Sequence, residues 1–275
     1  MFINKNGEIL SDEGSSALID NRGFKYGDGL FDTLKFTDGH VNFAEEHYFR
    51  LVSSMRMLRM KIPQGFTLEV YIEHIVKTIE CNGLQKGARI RVNVFRSGGG
   101  LYTPDSNASE FIIEVGSLSE RNYNEYEIEL FKDFYVTSGL LSTIKTNNRM
   151  INVLASIYAQ ENDYQNALLI NEKKELVEAA NSNVFIVRGR ELITPSLSSG
   201  CINGIIRKKV LEIAQKNLEL TTLETQVSPF ELLKADEVFL TNSINEFQKV
   251  SRYRKKTYAS GVTDEIIGIF ETAKW

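Results

Sequence analysis

The sequence predicts an α+β protein of two domains. A smaller mixed α/β N-terminal domain is expected over residues 1–118, and a larger, strand-rich, barrel-like C-terminal domain over 125–275. Three observations lead there. At 275 residues the chain suits one large domain or two modest ones. Helical and alternating apolar periods both occur in the first part. The stretch from Ser117 to Glu125 is polar and aperiodic, and strand signals outnumber helical ones after it. Residues 119–124 therefore read as a linker.

In the first part, Phe2 to Ile9 reads as a hairpin about Asn6-Gly7, a dipeptide suited to tight turns. Phe31 to Phe36 and Val41 to Phe43 flank Asp38-Gly39, a second hairpin signal. Tyr48, Leu51, Val52, Met55 and Leu58 recur at helical spacing and predict a helix from Ala44 to Met60, closed by Pro63. A second helix is expected from Phe66 to Glu80, with Val70, Ile72, Ile75 and Ile79 inward and Asn82-Gly83 as its stop. Ala88 to Phe95 alternates as a strand should, and Phe111 to Val115 is a short apolar run read as another strand.

The second part opens with strand signals at Tyr126 to Phe131. A helix follows from Arg149 to Asn162, with Met150, Val153, Leu154 and Ile157 on one face. Strands are expected at Ala167 to Asn171, Glu175 to Glu178, Asn183 to Arg188 and Glu191 to Thr194. Ile205 to Asn217 reads as a helix opened by Gly204. Late strands at Glu237 to Thr241 and Phe247 to Ser251 precede a last helix, Thr263 to Thr272.

Composition removes several functions. Apolar residues at 42% and charged ones at 25% give an ordinary globular mix rather than a disordered chain. A net charge of −4 argues against a nucleic-acid footprint. No apolar run reaches the roughly 18 residues of a membrane span, and Met1 to Gly7 shows no secretory leader pattern. Cys81 and Cys201 stand far apart and form no disulfide framework, so a cytoplasmic setting is expected. The three histidines, His40, His47 and His74, make no His-Glu-x-x-His, and Cys-x-x-Cys is absent, so a zinc site is not expected. Neither a Gly-x-Ser-x-Gly elbow nor a P-loop occurs. Gly98-Gly99-Gly100 reads as a loop between strands rather than a phosphate cradle.

Four segments carry chemistry. The first, Asp20-Asn-Arg-Gly-Phe-Lys-Tyr-Gly-Asp-Gly-Leu-Phe-Asp-Thr, is by itself a glycine-dense turn entering a strand. In the second, His47-Tyr-Phe-Arg-Leu-Val-Ser-Ser, the residues His47, Arg50 and Ser54 share one helix face, opposite much of the apolar stripe. An arginine fork there suits a phosphate; the plain alternative is a solvated polar face. The third, Ser142-Thr-Ile-Lys-Thr-Asn-Asn-Arg-Met-Ile-Asn-Val-Leu-Ala, sets Lys145 between a strand-like run and an amphipathic helix. Such an amine can condense with an aldehyde and move protons. The fourth, Leu176-Val-Glu-Ala-Ala-Asn-Ser-Asn-Val-Phe, carries Glu178. Two shorter elements join them. Asn203-Gly-Ile-Ile-Arg opens a helix whose first amides, at Ile205 and Ile206 after Gly204, suit an anion. Leu240-Thr-Asn-Ser-Ile-Asn-Glu offers Asn242 and the Ser243 hydroxyl.

In their order and spacing these segments resemble the class IV pyridoxal-phosphate aminotransferases, a fold-type-IV family of branched-chain aminotransferases, D-amino-acid aminotransferases and 4-amino-4-deoxychorismate lyases. The resemblance runs from Asp20 to the C-terminal helix. It implies a two-domain homodimer with pyridoxal 5'-phosphate between the domains and a small amino acid or keto acid as substrate. Lys145 would bond the cofactor aldehyde and shuttle a proton at the substrate α-carbon. Glu178 would face the pyridine nitrogen. Arg50, Gly204, Ile205, Ile206, Asn242 and Ser243 would hold the phosphate. Phe31, Arg91 and Arg149 would face the substrate.

The resemblance leaves the reaction divided. Branched-chain enzymes usually carry a tyrosine where this chain has Met150. Lys145-x-x-Asn-Arg149 looks more like the lyase branch. Arg89-Ile-Arg-Val-Asn-Val-Phe is similar to the branched-chain strand that aims an arginine, here Arg91, into the pocket, but Arg89 replaces an aromatic there. No Arg-x-His pair follows Arg96, which ranks D-amino-acid transfer third. An aminotransferase is therefore the leading expectation. The lyase, which releases pyruvate, is the alternative, and a non-catalytic cofactor- or partner-binding member is the third.

Overall fold

The computed structural model describes residues 1–11, 21–118 and 125–273; Asp20 of the first motif and the expected linker at 119–124 lie outside them. The described residues form two compact units. One holds residues up to 118 together with 145–148, and the other holds 125–144 and 149–273.

The first unit is a six-stranded antiparallel sheet of order β2-β1-β6-β5-β3-β4. β1 (Phe2–Lys5) and β2 (Glu8–Ser11) form the expected hairpin, its turn residues Asn6 and Gly7 both at positive φ. A short helix α1 (Arg22–Tyr26), capped by the Asn21 side chain, precedes β3 (Gly29–Thr37). Asp38 and Gly39 turn β3 into β4 (His40–Val41). Helices α2 (Ala44–Met57) and α3 (Leu68–Cys81) follow, then β5 (Ala88–Arg96) and β6 (Ser109–Ser117).

Alternation along the strands sorts side chains to two faces. Leu30, Leu34, Ile90, Val92, Phe111 and Ile113 share a buried core with Leu51 and Met55 of α2 and with Tyr71, Ile75 and Ile79 of α3. Phe31, Thr33, Lys35, Arg89, Arg91 and Asn93 occupy the other face, with Phe31 opposite Asn93 and Thr33 opposite Arg91. Two helix ends differ from expectation. α2 stops at Met57, because Arg59 takes a left-handed φ of 56° before Pro63 is reached. Phe43 leaves the strand and serves as the N-cap residue of α2.

β4 pairs only with Phe36 and Thr37, leaving the start of the β3 edge open to another strand. Residues 145–147 take that edge: the Phe31 N–H donates to the Lys145 carbonyl at 2.8 Å and the Asn147 N–H to the Gly29 carbonyl at 2.9 Å.

The second unit runs β7 (Glu127–Leu130), α4 (Met150–Glu161), β8 (Asn166–Ile170), β9 (Leu176–Ala179), β10 (Asn183–Arg188), β11 (Glu191–Pro195), α5 (Ile205–Asn217), β12 (Thr221–Thr225), α6 (Glu231–Lys234), β13 (Glu237–Asn242), β14 (Glu246–Lys249), β15 (Arg252–Tyr253), β16 (Lys256–Thr257) and α7 (Gly261–Thr272). Its strands form two five-stranded sheets, β12-β11-β10-β13-β14 and β16-β15-β7-β8-β9. The expected barrel-like closure is corrected: both sheets are open and keep their own edge strands. The break falls after β9, where residues 180–182 carry the chain from one sheet into the other with only an Ala179–Ser182 bridge between. Leu168, Leu176, Val184, Ile186, Val238 and Leu240 form a core drawn from both sheets.

The buried face of α4 is also not the expected one. Ala155 and Ala159 pack inward with Ile151, Leu154 and Tyr158, while Met150 stays 69% exposed and Val153 and Ile157 also face outward. This helix is apolar on more than one side, so periodicity alone does not choose, and the small alanines permit close approach to β8. No helix among the described residues is long and apolar enough to cross a membrane, and none of their His, Cys, Asp and Glu side chains group as a metal site.

Candidate functional site

In the first unit the chemistry centres on β3. Lys145 is fixed through its backbone against that strand, and its ammonium lies 4.8 Å from the centroid of the Phe31 ring. Arg91 stacks on the same ring at 3.9 Å. The Arg91 Nε donates to Asn93 Oδ1 at 3.0 Å, and Asn93 in turn donates to Glu114 at 3.2 Å. Burial, with the neighbouring Arg89 adding to it, draws the Arg91 pKa below the ordinary guanidinium range, and Glu114 opposes the shift.

Arg50 points from α2 to Asp32 on β3. Its Nε donates to Asp32 Oδ2 at 3.0 Å and its Nη2 donates to Oδ1. His47 Nδ1 donates to Oδ1 at 3.0 Å. Asp32 is 1% exposed. Burial alone would raise its pKa, but the Arg50 guanidinium and His47 outweigh burial and hold the carboxyl far below the usual range. His47 is shifted down, chiefly by burial and against the pull of Asp32, and its Nε2 finds no hydrogen-bond partner among the described residues. The sequence reading put His47, Arg50 and Ser54 opposite much of the apolar stripe. His47 and Ser54 are instead buried with it, because they lie four residues before and three after Leu51, on the apolar face itself; only His47 reaches the Asp32 carboxylate. Ser54 is spent within its own helix, donating to the Arg50 carbonyl at 2.7 Å.

A second charged cluster ties the start of β3 to the glycine loop. Asp28 accepts from Arg22 Nε and from Arg96 Nε, both at 2.9 Å. Arg22 Nη1 donates to the carbonyls of Gly99, Gly100 and Leu101 at 3.1, 3.1 and 2.7 Å. Carbonyls turned onto a cation make a clamp, not an anion cradle, so Gly98 to Gly100 is the interstrand loop expected.

In the second unit, Glu178 and Asn183 bracket one residue. The Ile202 N–H donates to Glu178 Oε2 at 2.9 Å, and Asn183 Nδ2 donates to the Ile202 carbonyl at 2.8 Å. That fixes the approach to α5, whose N-cap Gly204 supplies no side-chain cap to the first amides. A Cβ on Gly204 would meet Asn183 Oδ1 at 2.0 Å. Gly204→Ala is accordingly expected to destabilise the protein by about 1–3 kcal/mol through overpacking, read as a lower thermal midpoint that Gly204→Ala with Asn183→Ala partly recovers. Asn242 is also built in: its Nδ2 donates to Ser182 Oγ at 2.9 Å, while its Oδ1 accepts from the N–H groups of Ile244 and Asn245 at 2.9 and 2.8 Å. Ser243 sits half-buried in the same turn. Arg149 is half-buried and donates to the Ile144 carbonyl. Burial lowers its pKa, and the Glu178 carboxylate opposes the shift.

The profile of the amino-transferase class IV family matches residues 29–253. The chain belongs to that family. A class IV relative, the aminodeoxychorismate lyase of Vibrio harveyi, is 26% identical, covering 82% of this chain and 83% of its own. The D-alanine aminotransferase of Bacillus licheniformis is also 26% identical, covering 98% and 94%. A crystal structure of the branched-chain aminotransferase of Thermoproteus uzoniensis with norvaline has the same fold, with a TM-score of 0.88 at 23% identity over 98% of this chain and 93% of that one. The fold-type-IV architecture expected from the motifs is thus the one found.

The class IV family implies pyridoxal phosphate, and the donor set suits such a group. An uncapped helix start and an arginine fork are apt for a phosphate. A carboxylate is apt for a protonated ring nitrogen, and a lysine amine for an aldehyde. Sequence reasoning missed Asp32 and the structural part played by Asn183. Asp32 had a usable signal: alternation puts it on the covered face between Leu30 and Leu34, and a buried carboxylate demands a partner.

Proposed function

We propose that this class IV chain is a pyridoxal-phosphate-dependent aminotransferase that moves an amino group between a small amino acid and a 2-oxo acid. The observation that carries the reading is Lys145, pinned by main-chain hydrogen bonds at the β3 edge with its amine over Phe31, a ring that it shares with Arg91. When bound, the cofactor supplies an electron sink for the substrate carbanion. The Lys145 amine takes the proton from the substrate α-carbon and returns it to the other reacting carbon. Glu178 holds the ring nitrogen protonated. Arg50, the amides of Ile205 and Ile206 beyond Gly204, Asn242 and the Ser243 hydroxyl hold the phosphate. Arg91 meets the substrate carboxylate, Phe31 shapes the pocket wall, and Arg149 sits on the substrate side. The same reading carries a homodimer, on resemblance alone, and a cytoplasmic setting, on cysteine usage.

A second reading, aminodeoxychorismate lyase, is favoured by Met150. It stands where branched-chain enzymes usually have tyrosine, and its side chain is largely exposed. The deciding experiment is the visible spectrum of the purified protein before and after adding mixed L-amino acids without keto acid. Conversion of the bound pyridoxal phosphate band to the pyridoxamine form is the expected result. A band that does not move favours the lyase, and aminodeoxychorismate is then the compound to supply. A colourless protein that takes up no cofactor overturns both.

A further inference from the structure

We infer that Asp32 is the positioning residue of Arg50, and that through it β3 sets the phosphate grip in register with the lysine. The inference rests on the reading that Arg50 holds the cofactor phosphate. Consecutive residues of β3 do two jobs. The Phe31 backbone N–H holds the Lys145 carbonyl, and the Asp32 side chain holds Arg50 through two guanidinium nitrogens. An arginine on a helix carries a long, flexible stem, and a bidentate carboxylate removes that freedom before any ligand arrives. His47 closes the device by donating to the same Oδ1, so that Asp32 cannot swing away from the helix. Asp32 remains ionised throughout the working pH range, because its partners outweigh the cost of its burial.

The arrangement sets two effects against each other. Asp32 partly neutralises the charge of Arg50, which weakens attraction for a phosphate, while it fixes the orientation of the fork, which strengthens a directed grip. The geometry favours orientation, since a phosphate is held by aimed hydrogen bonds as well as by charge.

The test compares pyridoxal 5'-phosphate with pyridoxal, which lacks the phosphate, as ligands of the wild type, Asp32→Asn, Asp32→Glu and Arg50→Ala. Dissociation constants would be read from the change in protein fluorescence, with thermal midpoints alongside. Asp32→Asn is expected to weaken pyridoxal phosphate binding tenfold or more and to leave pyridoxal binding within about twofold. Asp32→Glu keeps the buried charge compensated but shifts the fork, and is expected to show the same phosphate-selective loss at a smaller size. It stands in if Asp32→Asn does not fold. Equal losses for the two ligands would mean a merely structural role and overturn the inference. So would tighter pyridoxal phosphate binding, which would make neutralisation the dominant effect. If Arg50→Ala retains the full preference for the phosphorylated ligand, the reading of Arg50 itself fails. If Arg50→Ala loses that preference and Asp32→Asn keeps it, only the inference fails.

Discussion

Lys145→Ala is expected to abolish turnover, with a loss of about 10³-fold or more, because the side chain is assigned both the covalent attachment and the proton transfer. The variant should remain folded. Both hydrogen bonds that hold this segment to β3 use main-chain atoms, at the Lys145 carbonyl and the Asn147 N–H, and alanine keeps them. What disappears is the amine over Phe31. Three measurements check this together. The amino-transfer rate should fall to background, the thermal midpoint should stay within a few degrees, and borohydride should no longer fix the cofactor to the tryptic peptide containing position 145. An undiminished rate in a folded Lys145→Ala protein ends the assignment.

Glu178 yields the second large effect, and here two substitutions separate chemistry from support. Glu178→Gln keeps an oxygen to accept the Ile202 N–H, so the loop leading to α5 should hold its shape. It loses the negative charge that, in the proposed role, would keep the cofactor's ring nitrogen protonated. The expected result is a fall in kcat of roughly 10²-fold, equivalent to about 2.7 kcal/mol of barrier, with little change in thermal midpoint. Glu178→Ala should lose activity at least as far. It should also lower the midpoint, since a buried amide left without an acceptor costs about 1–3 kcal/mol. Full activity in Glu178→Gln would remove the ring nitrogen from its role. A Glu178→Gln protein as unstable as Glu178→Ala would show that the charge, through its partly buried neighbour Arg149, matters to folding.

Long, strongly patterned elements were legible in the sequence. The helix expected from Ile205 to Asn217 is found with those bounds, and both hairpin turns fall on the dipeptides that announced them. Five short elements, α1, β12, α6, β15 and β16, were not seen, because a window of two to five residues holds no period; others as short, such as β1, β2 and β9, were read from turn dipeptides or apolar runs. The inward turn of His47 was missed for a different reason. His47 lies one turn before Leu51 and so on the apolar face itself; the spacing was local and was overlooked, and only its partner Asp32 is a distant one. The open sheets escaped because strand count does not reveal where a chain leaves one ladder for another, here at residues 180–182. In the candidate site, the motifs named Lys145, Arg50, Glu178 and Arg91, to which the proposal gives roles. Of the residues that brace them, Asp32 was signalled by alternation along β3 and overlooked, whereas Asn183 became visible only with its partners.

The pairing of residues 145–147 with the β3 edge has a consequence for how the protein is made. All six strands of that sheet lie before residue 118, so its ladder can close while the lysine segment is still being synthesised. Lys145 then docks last, as a distant contact that repays its loop-closure entropy only once the sheet exists. A nascent or truncated chain therefore carries no poised amine. Halves produced by cutting near residue 120 would leave the sheet in one fragment and Lys145, the proposed nucleophile, in the other, so on that proposal each half should be inert by itself, whatever its stability.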